Sequence, residues 1–84
     1  MENNAIKVQM GQAIRRLREK ERLSQERLAL MTGISRQYLI KIEHGVANPT
    51  VELLYRIACG LGTKMTRILD EADLDELSPS PEGR

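Results

Sequence analysis

An all-α fold, a compact bundle of five short helices, is what this sequence predicts, and three observations predict it. Apolar residues recur at three- and four-residue intervals through most of the chain. Serine or threonine stands just ahead of three of these periodic stretches, and glycine closes them. The composition is 40% hydrophobic but only 2% aromatic, so the core must be built from Leu, Ile, Val, Met and Ala.

Taken in order, Ile6, Met10, Ala13, Ile14 and Leu17 describe an amphipathic first helix running to about Lys20, with a basic outer face. Ser24 offers its hydroxyl as the N-cap of a second helix, and Glu26 in the first turn suits the positive end of the helix dipole. Gly33 falls where the chain must leave that helix and reverse. Without a Cβ it can adopt the left-handed conformation that ends one helix and starts a sharp corner. Small Ala29 lets two helix backbones cross closely, so a bulky residue there should fail. Ser35 caps a third helix, and Leu28, Ala29, Ile34, Leu39 and Ile42 are the apolar positions of this helical pair. After Gly45 a loop through Asn48 and Pro49 ends at Thr50, the cap of a fourth helix. Its inward stripe is expected to be Val51, Leu54, Ile57, Ala58 and Leu61, with Gly60 and Gly62 bracketing its end. A fifth helix should run from about Lys64 to Leu74 or Leu77. Residues 1–5 are expected to be flexible, residues 6–77 to form one domain, and residues 78–84, SPSPEGR, to be a disordered tail.

The chain's 84 residues make one small domain, too few to enclose a catalytic cleft of ordinary size. No paired carboxylates, nucleophile with a base, or phosphate-cradling glycine loop is apparent, so an enzyme is the weakest reading and no cofactor is expected. A single Cys59 cannot form an internal disulfide, and no apolar run approaches the ~20 residues a membrane span needs. A cytoplasmic location follows as the expectation. Cys59 is read as a small half-buried residue of the fourth helix. Net charge is only +1, but residues 1–69 carry twelve Lys and Arg against six Asp and Glu, whereas residues 70–84 carry one Arg against six acids. Local fields govern attraction to phosphates, so a +6 body with an acidic end is compatible with nucleic acid.

Setting residues 35–44 on a helical wheel separates two arcs. Leu39 and Ile42 point inward with Ser35 nearby, while Arg36, Gln37, Ile40, Lys41 and His44 fan over the opposite side.

From QAIRRLRE through LSQERLALMTGISRQYLIKIEHG to NPTVELLYRIACGLG, about residues 8–70, the chain resembles the helix-turn-helix family of phage repressors and xenobiotic-response-element type regulators. The resemblance implies a lambda-repressor-like DNA-binding domain whose third helix enters the major groove. Small stand-alone members include restriction-modification controllers and phage-type repressors, and Arg36 and Tyr38 resemble the former. The family's base-reading positions fall on Arg36, Gln37 and Lys41, the set the wheel selects. Arg36 could grip guanine O6 and N7, and Gln37 could pair with adenine N6 and N7. Ile40 departs from the small polar residue common there; it either meets a thymine methyl or is a tolerated surface isoleucine.

Phosphate contacts are expected from Gln25, Ser35, Tyr38, His44 and Asn48. A glutamine at position 25 holds a phosphate in the family, helped by free backbone amides at the helix start. Tyr38 either reaches the sugar-phosphate chain or packs with a wet hydroxyl. The loop from His44 to Asn48 normally presents amides to DNA, although Val46 and Ala47 are neutral here. His44 could touch a phosphate, or be a surface residue of no special duty, and no zinc-ligand set accompanies it. Arg18 and Glu43 stand where the family often joins the first and third helices by an ion pair; two unlinked surface charges are the alternative. Lys64 stands where many members carry a capping Ser or Pro, so the fifth helix is expected to fray at its start.

The resemblance implies a sequence-specific regulator binding double-stranded DNA as a homodimer through the fourth and fifth helices. Leu61, Met65, Ile68, Leu69 and Leu74 are the candidate dimer residues, with Leu77 as weaker support. The alternative is an antitoxin whose acidic segment neutralises a toxin, with any protein partner unidentified. No basic residue precedes Lys7, which argues against an arm wrapped around DNA.

Overall fold

Three hydroxyl caps start three of the helices. In the computed structural model, which describes residues 4–77, the Oγ of Ser24 accepts the Arg27 N–H at 3.0 Å and the Oγ of Ser35 accepts the Tyr38 N–H at 3.0 Å. Thr50 Oγ1 accepts the Leu53 N–H at 3.1 Å. Each such bond satisfies a backbone donor that the helix itself leaves free, and contributes about 1 kcal/mol. The helices are α1 (Asn4–Lys20), α2 (Gln25–Thr32), α3 (Arg36–Glu43), α4 (Val51–Leu61) and α5 (Met65–Ala72), followed by a 3-10 turn over Leu74–Leu77. Gly33 ends α2 at φ +82°, and its N–H donates to the Ala29 carbonyl at 2.9 Å, as the sequence requires of a left-handed stop. Lys64 stands at the N-cap of α5 with no side-chain bond to the first turn.

Three expectations about helix bounds and the α4 stripe need correction. Asn4 and Ala5, expected to be flexible, belong to α1, because exposed Ala5 prolongs the helix without adding to the apolar pattern that marked its start. The expectations for residues 1–3 and 78–84 lie outside the described residues. In α4 the inward stripe begins at Leu53, which is 7% exposed, rather than at Val51, which is 73% exposed. Four residues ahead of Ile57, Leu53 sits about 40° from it around the helix, whereas Val51 lies about 120° away. Gly60, inside α4, and Gly62, its C-cap, bracket the end of that helix as expected, and a Cβ on Gly60 would come within 3.0 Å of Leu28 Cδ1 on α2. Finally, α5 ends at Ala72, because Asp73 turns left-handed at φ +56° and the remaining residues tighten into the 3-10 turn.

The core joins Met10, Ala13, Ile14 and Leu17 of α1 to Leu28, Ala29, Leu39, Ile42, Leu53, Ile57, Ala58, Leu61, Ile68 and Ala72. Burying an aliphatic side chain of this size stabilises the fold by roughly 1.5–3 kcal/mol. Cys59 is exposed rather than half-buried, since it lies on the outer side of α4. There the neighbouring Cys59 side chain holds the Tyr55 phenol above its ordinary pKa.

α1 is the spine that sets the pose of α3. Gly11 brings the two helices together: a Cβ there would lie 2.8 Å from the Glu43 carbonyl oxygen and collide with that of Ile42. On its other side α1 holds α5. Gln9 Nε2 donates to the Ala72 carbonyl at 3.0 Å, and Arg16 donates through Nε to Glu71 Oε2 at 2.8 Å and through Nη2 to the Glu71 carbonyl at 3.0 Å.

Candidate nucleic-acid interface

α3 divides along its length as the wheel predicts. Leu39, Ile42 and Glu43 are buried, whereas Arg36, Gln37, Lys41 and His44 are exposed and Ile40 is half-buried. Among the described residues, Arg36, Gln37 and Lys41 form no ion pair or side-chain hydrogen bond. Their donors therefore face outward unspent, on a ridge about two turns long. Tyr38 is half-buried and packs against the core, which agrees with the packing alternative for its ring.

A buried ion pair holds that ridge in place. Arg18 and Glu43, 25 residues apart, meet with side chains only 10% and 1% exposed. Arg18 Nε donates to Glu43 Oε2 at 2.6 Å and Nη2 donates to Oε1 at 3.0 Å. The third nitrogen, Nη1, donates to the Leu23 carbonyl at 2.7 Å. One guanidinium thus ties the last residue of α3 to the corner between α1 and α2. The pair expected between these residues is present, and the alternative of two unlinked surface charges is excluded.

The pair also reaches a residue that no pattern in the sequence links to it. Gln25, in the first turn of α2, donates from Nε2 to Glu43 Oε1 at 3.1 Å. An ionised carboxylate only accepts hydrogen bonds, so the amide must turn its NH2 toward Glu43 and its oxygen away. One amide N–H is thereby engaged and the other is left for an outside acceptor. Ser35 and Asn48 are exposed, beside α3 and in the loop after it.

The loop after α3 differs from expectation. The N–H groups of Val46 and Ala47 both donate to the Lys41 carbonyl, at 2.9 and 3.1 Å, and the Gly45 N–H donates to the Ile42 carbonyl at 3.0 Å. These amides cap the end of α3, which has carbonyls without helical partners, and so are not free for a phosphate. His44 is itself the C-cap, exposed at φ −89°.

The expected dimer residues also divide. Leu61 and Ile68 are core residues of the protomer, at 5% and 1% exposed, because the small bundle has nothing else to fill those places. Leu69 remains exposed, with Met65 and Leu74 half-buried near it and Val51 and Tyr55 exposed on α4.

Comparison with known proteins fits this geometry. The helix-turn-helix family HTH_3 matches residues 14–68. The control protein C.MunI from a Mycoplasma species is 34% identical over 71 residues, 83% of this chain and 96% of its own. An uncharacterized HTH-type transcriptional regulator, y4dJ of Sinorhizobium fredii, is 38% identical over 64 residues, covering 76% of this chain and 83% of its own. The crystal structure of the restriction-modification controller protein C.AhdI from Aeromonas hydrophila superposes with a TM-score of 0.78 at 31% identity, covering 81% of this chain and 99% of that one.

Proposed function

This chain belongs to the HTH_3 helix-turn-helix family and is a DNA-binding transcriptional regulator, and from that premise we propose that it reads operator DNA as a two-fold dimer with α3 in the major groove. The observation that carries the reading is a ridge of unpartnered donors on a helix whose far end is anchored by a buried ion pair. A rigid helix is what base reading needs, since a bidentate contact tolerates little displacement.

In this reading Arg36 and Gln37, at the start of α3, address base edges, and Lys41 follows one turn later along the groove. Ile40 supplies apolar contact to a thymine methyl. Gln25, Ser35, His44 and Asn48 flank the ridge and contact phosphates, which supply most of the affinity but little of the specificity, while Tyr38 keeps its ring against the core. Gln25 does so with the amide N–H that Glu43 does not use. The dimer forms through the outer side of α4 and α5 around Leu69, placing two copies of α3 one helical turn of DNA apart, ~34 Å. The protein acts in the cytoplasm, where its duplex is. The alternative of an antitoxin draws no support from the relatives above, which are regulators and control proteins.

Selection of bound duplexes from a random pool at two salt concentrations tests this directly. The expected result is a repeated half-site with the spacing above. Replacing Arg36 with Ala should relax preference at one base pair by about 1–3 kcal/mol. An unchanged preference at fixed salt would show that α3 does not read bases as described.

A further inference from the structure

The corner between α1 and α2 holds one residue in a conformation its side chain does not favour. Arg22 adopts φ +59°, the left-handed region that glycine and asparagine enter readily and a long side chain enters at a cost. It is held there from both sides. Its own N–H donates to the Glu19 carbonyl at 2.9 Å, the next N–H, that of Leu23, donates to the Arg18 carbonyl at 3.1 Å, and the Leu23 carbonyl receives Arg18 Nη1. The same guanidinium grips Glu43, which orients Gln25. Arg22 therefore sits on a turn as firmly fixed as the start of α2, two residues ahead of the Ser24 cap.

Nothing among the described residues accounts for an arginine at this place. Arg22 is exposed and, among the described residues, forms no ion pair or side-chain hydrogen bond. Strain of this kind persists where the surroundings enforce it, and often where function uses it. We propose that Arg22 is a DNA phosphate contact: the left-handed turn fixes it three residues ahead of Gln25, and the two grip the same stretch of backbone. The proposal rests on the reading that the start of α2 faces phosphates. It adds a charged donor to a neutral one, so it predicts a salt dependence that Gln25 alone would not produce.

The test uses the full chain, a duplex recovered from the random pool and a scrambled duplex of equal length. Binding is measured across a range of salt concentrations, and thermal unfolding in parallel. Arg22→Asn suits the left-handed turn and removes the charge. It should leave the melting temperature equal or higher, yet weaken binding to both duplexes several-fold and make the slope of log K against log salt shallower by about 0.9. Arg22→Lys should keep the slope. Such opposite movement of stability and affinity is not what a merely structural residue produces. If Arg22→Asn leaves the slope unchanged while Gln25→Ala weakens binding to both duplexes, the role of Arg22 is overturned and the interface stands. If neither variant changes binding, the start of α2 does not face DNA and both readings fail.

Discussion

Replacing Arg18 with Leu removes one partner of the buried pair and leaves Glu43, 1% exposed at its side chain, with Gln25 as its remaining side-chain hydrogen-bond donor. Three donor bonds are lost, two to the carboxylate and one to the Leu23 carbonyl. Breaking such a pair costs about 3–5 kcal/mol, because the charge left behind is neither solvated nor matched. At roughly 0.05–0.15 kcal/mol per residue, a domain of this length holds only about 4–13 kcal/mol in total. The melting temperature should therefore fall by at least ~12 °C, read by circular dichroism and checked by urea titration. Changing both residues, Arg18→Leu with Glu43→Leu, should recover much of that loss, since an apolar pair of similar volume no longer buries a charge. The recovered protein should still bind DNA weakly, because Gln25 has lost the carboxylate that orients its amide. A loss under about 1 kcal/mol for Arg18→Leu alone would mean that the pair behaves as an exposed one, and the anchoring of α3 argued above would be wrong.

Gly11→Ala should destabilise the fold by about 1–3 kcal/mol or more through collision with the α3 backbone, although alanine is the better helix former by about 1 kcal/mol at an open position; a rise in urea midpoint would refute the close approach. Leu69→Lys should shift the protein toward monomer in sedimentation velocity while leaving its helicity intact, and an unchanged sedimentation coefficient would move the dimer face elsewhere. The hydrogen bond from Arg16 holds the Glu71 carboxyl below its ordinary pKa, against a smaller opposing effect of burial. A depressed carboxylate stabilises the fold above its unfolded pKa, and that contribution disappears as pH falls through the folded value. Wild type should therefore exceed Arg16→Ala slightly at neutral pH, by about 0.5 kcal/mol given the exposure of Arg16, and the gap should narrow on acidification below about pH 4, leaving only the bond from Arg16 to the Glu71 carbonyl; a gap constant with pH would exclude the charge as its source.

Local chemistry was legible in the sequence. Ser24, Ser35 and Thr50 cap helices where they stand, Gly33 turns where it must, and the exposed arc of Arg36, Gln37 and Lys41 follows from the helical repeat, because each depends on residues within one or two turns. The link between Arg18 and Glu43 was reachable only through family resemblance, since no local rule joins residues 25 apart. Packing decided the rest. Which side of α4 faces inward depends on where α2 and α5 lie, so Val51 and Leu53 exchange roles, and Leu61 and Ile68 go to the core instead of a partner. The third dimension alone revealed that Gly11 admits the α3 backbone, that the loop amides of Val46 and Ala47 are already bonded, and that Gln25 is aimed by Glu43. Periodicity says that a residue lies on a face; only the neighbouring helices, brought together by burial of apolar surface, decide what that face meets.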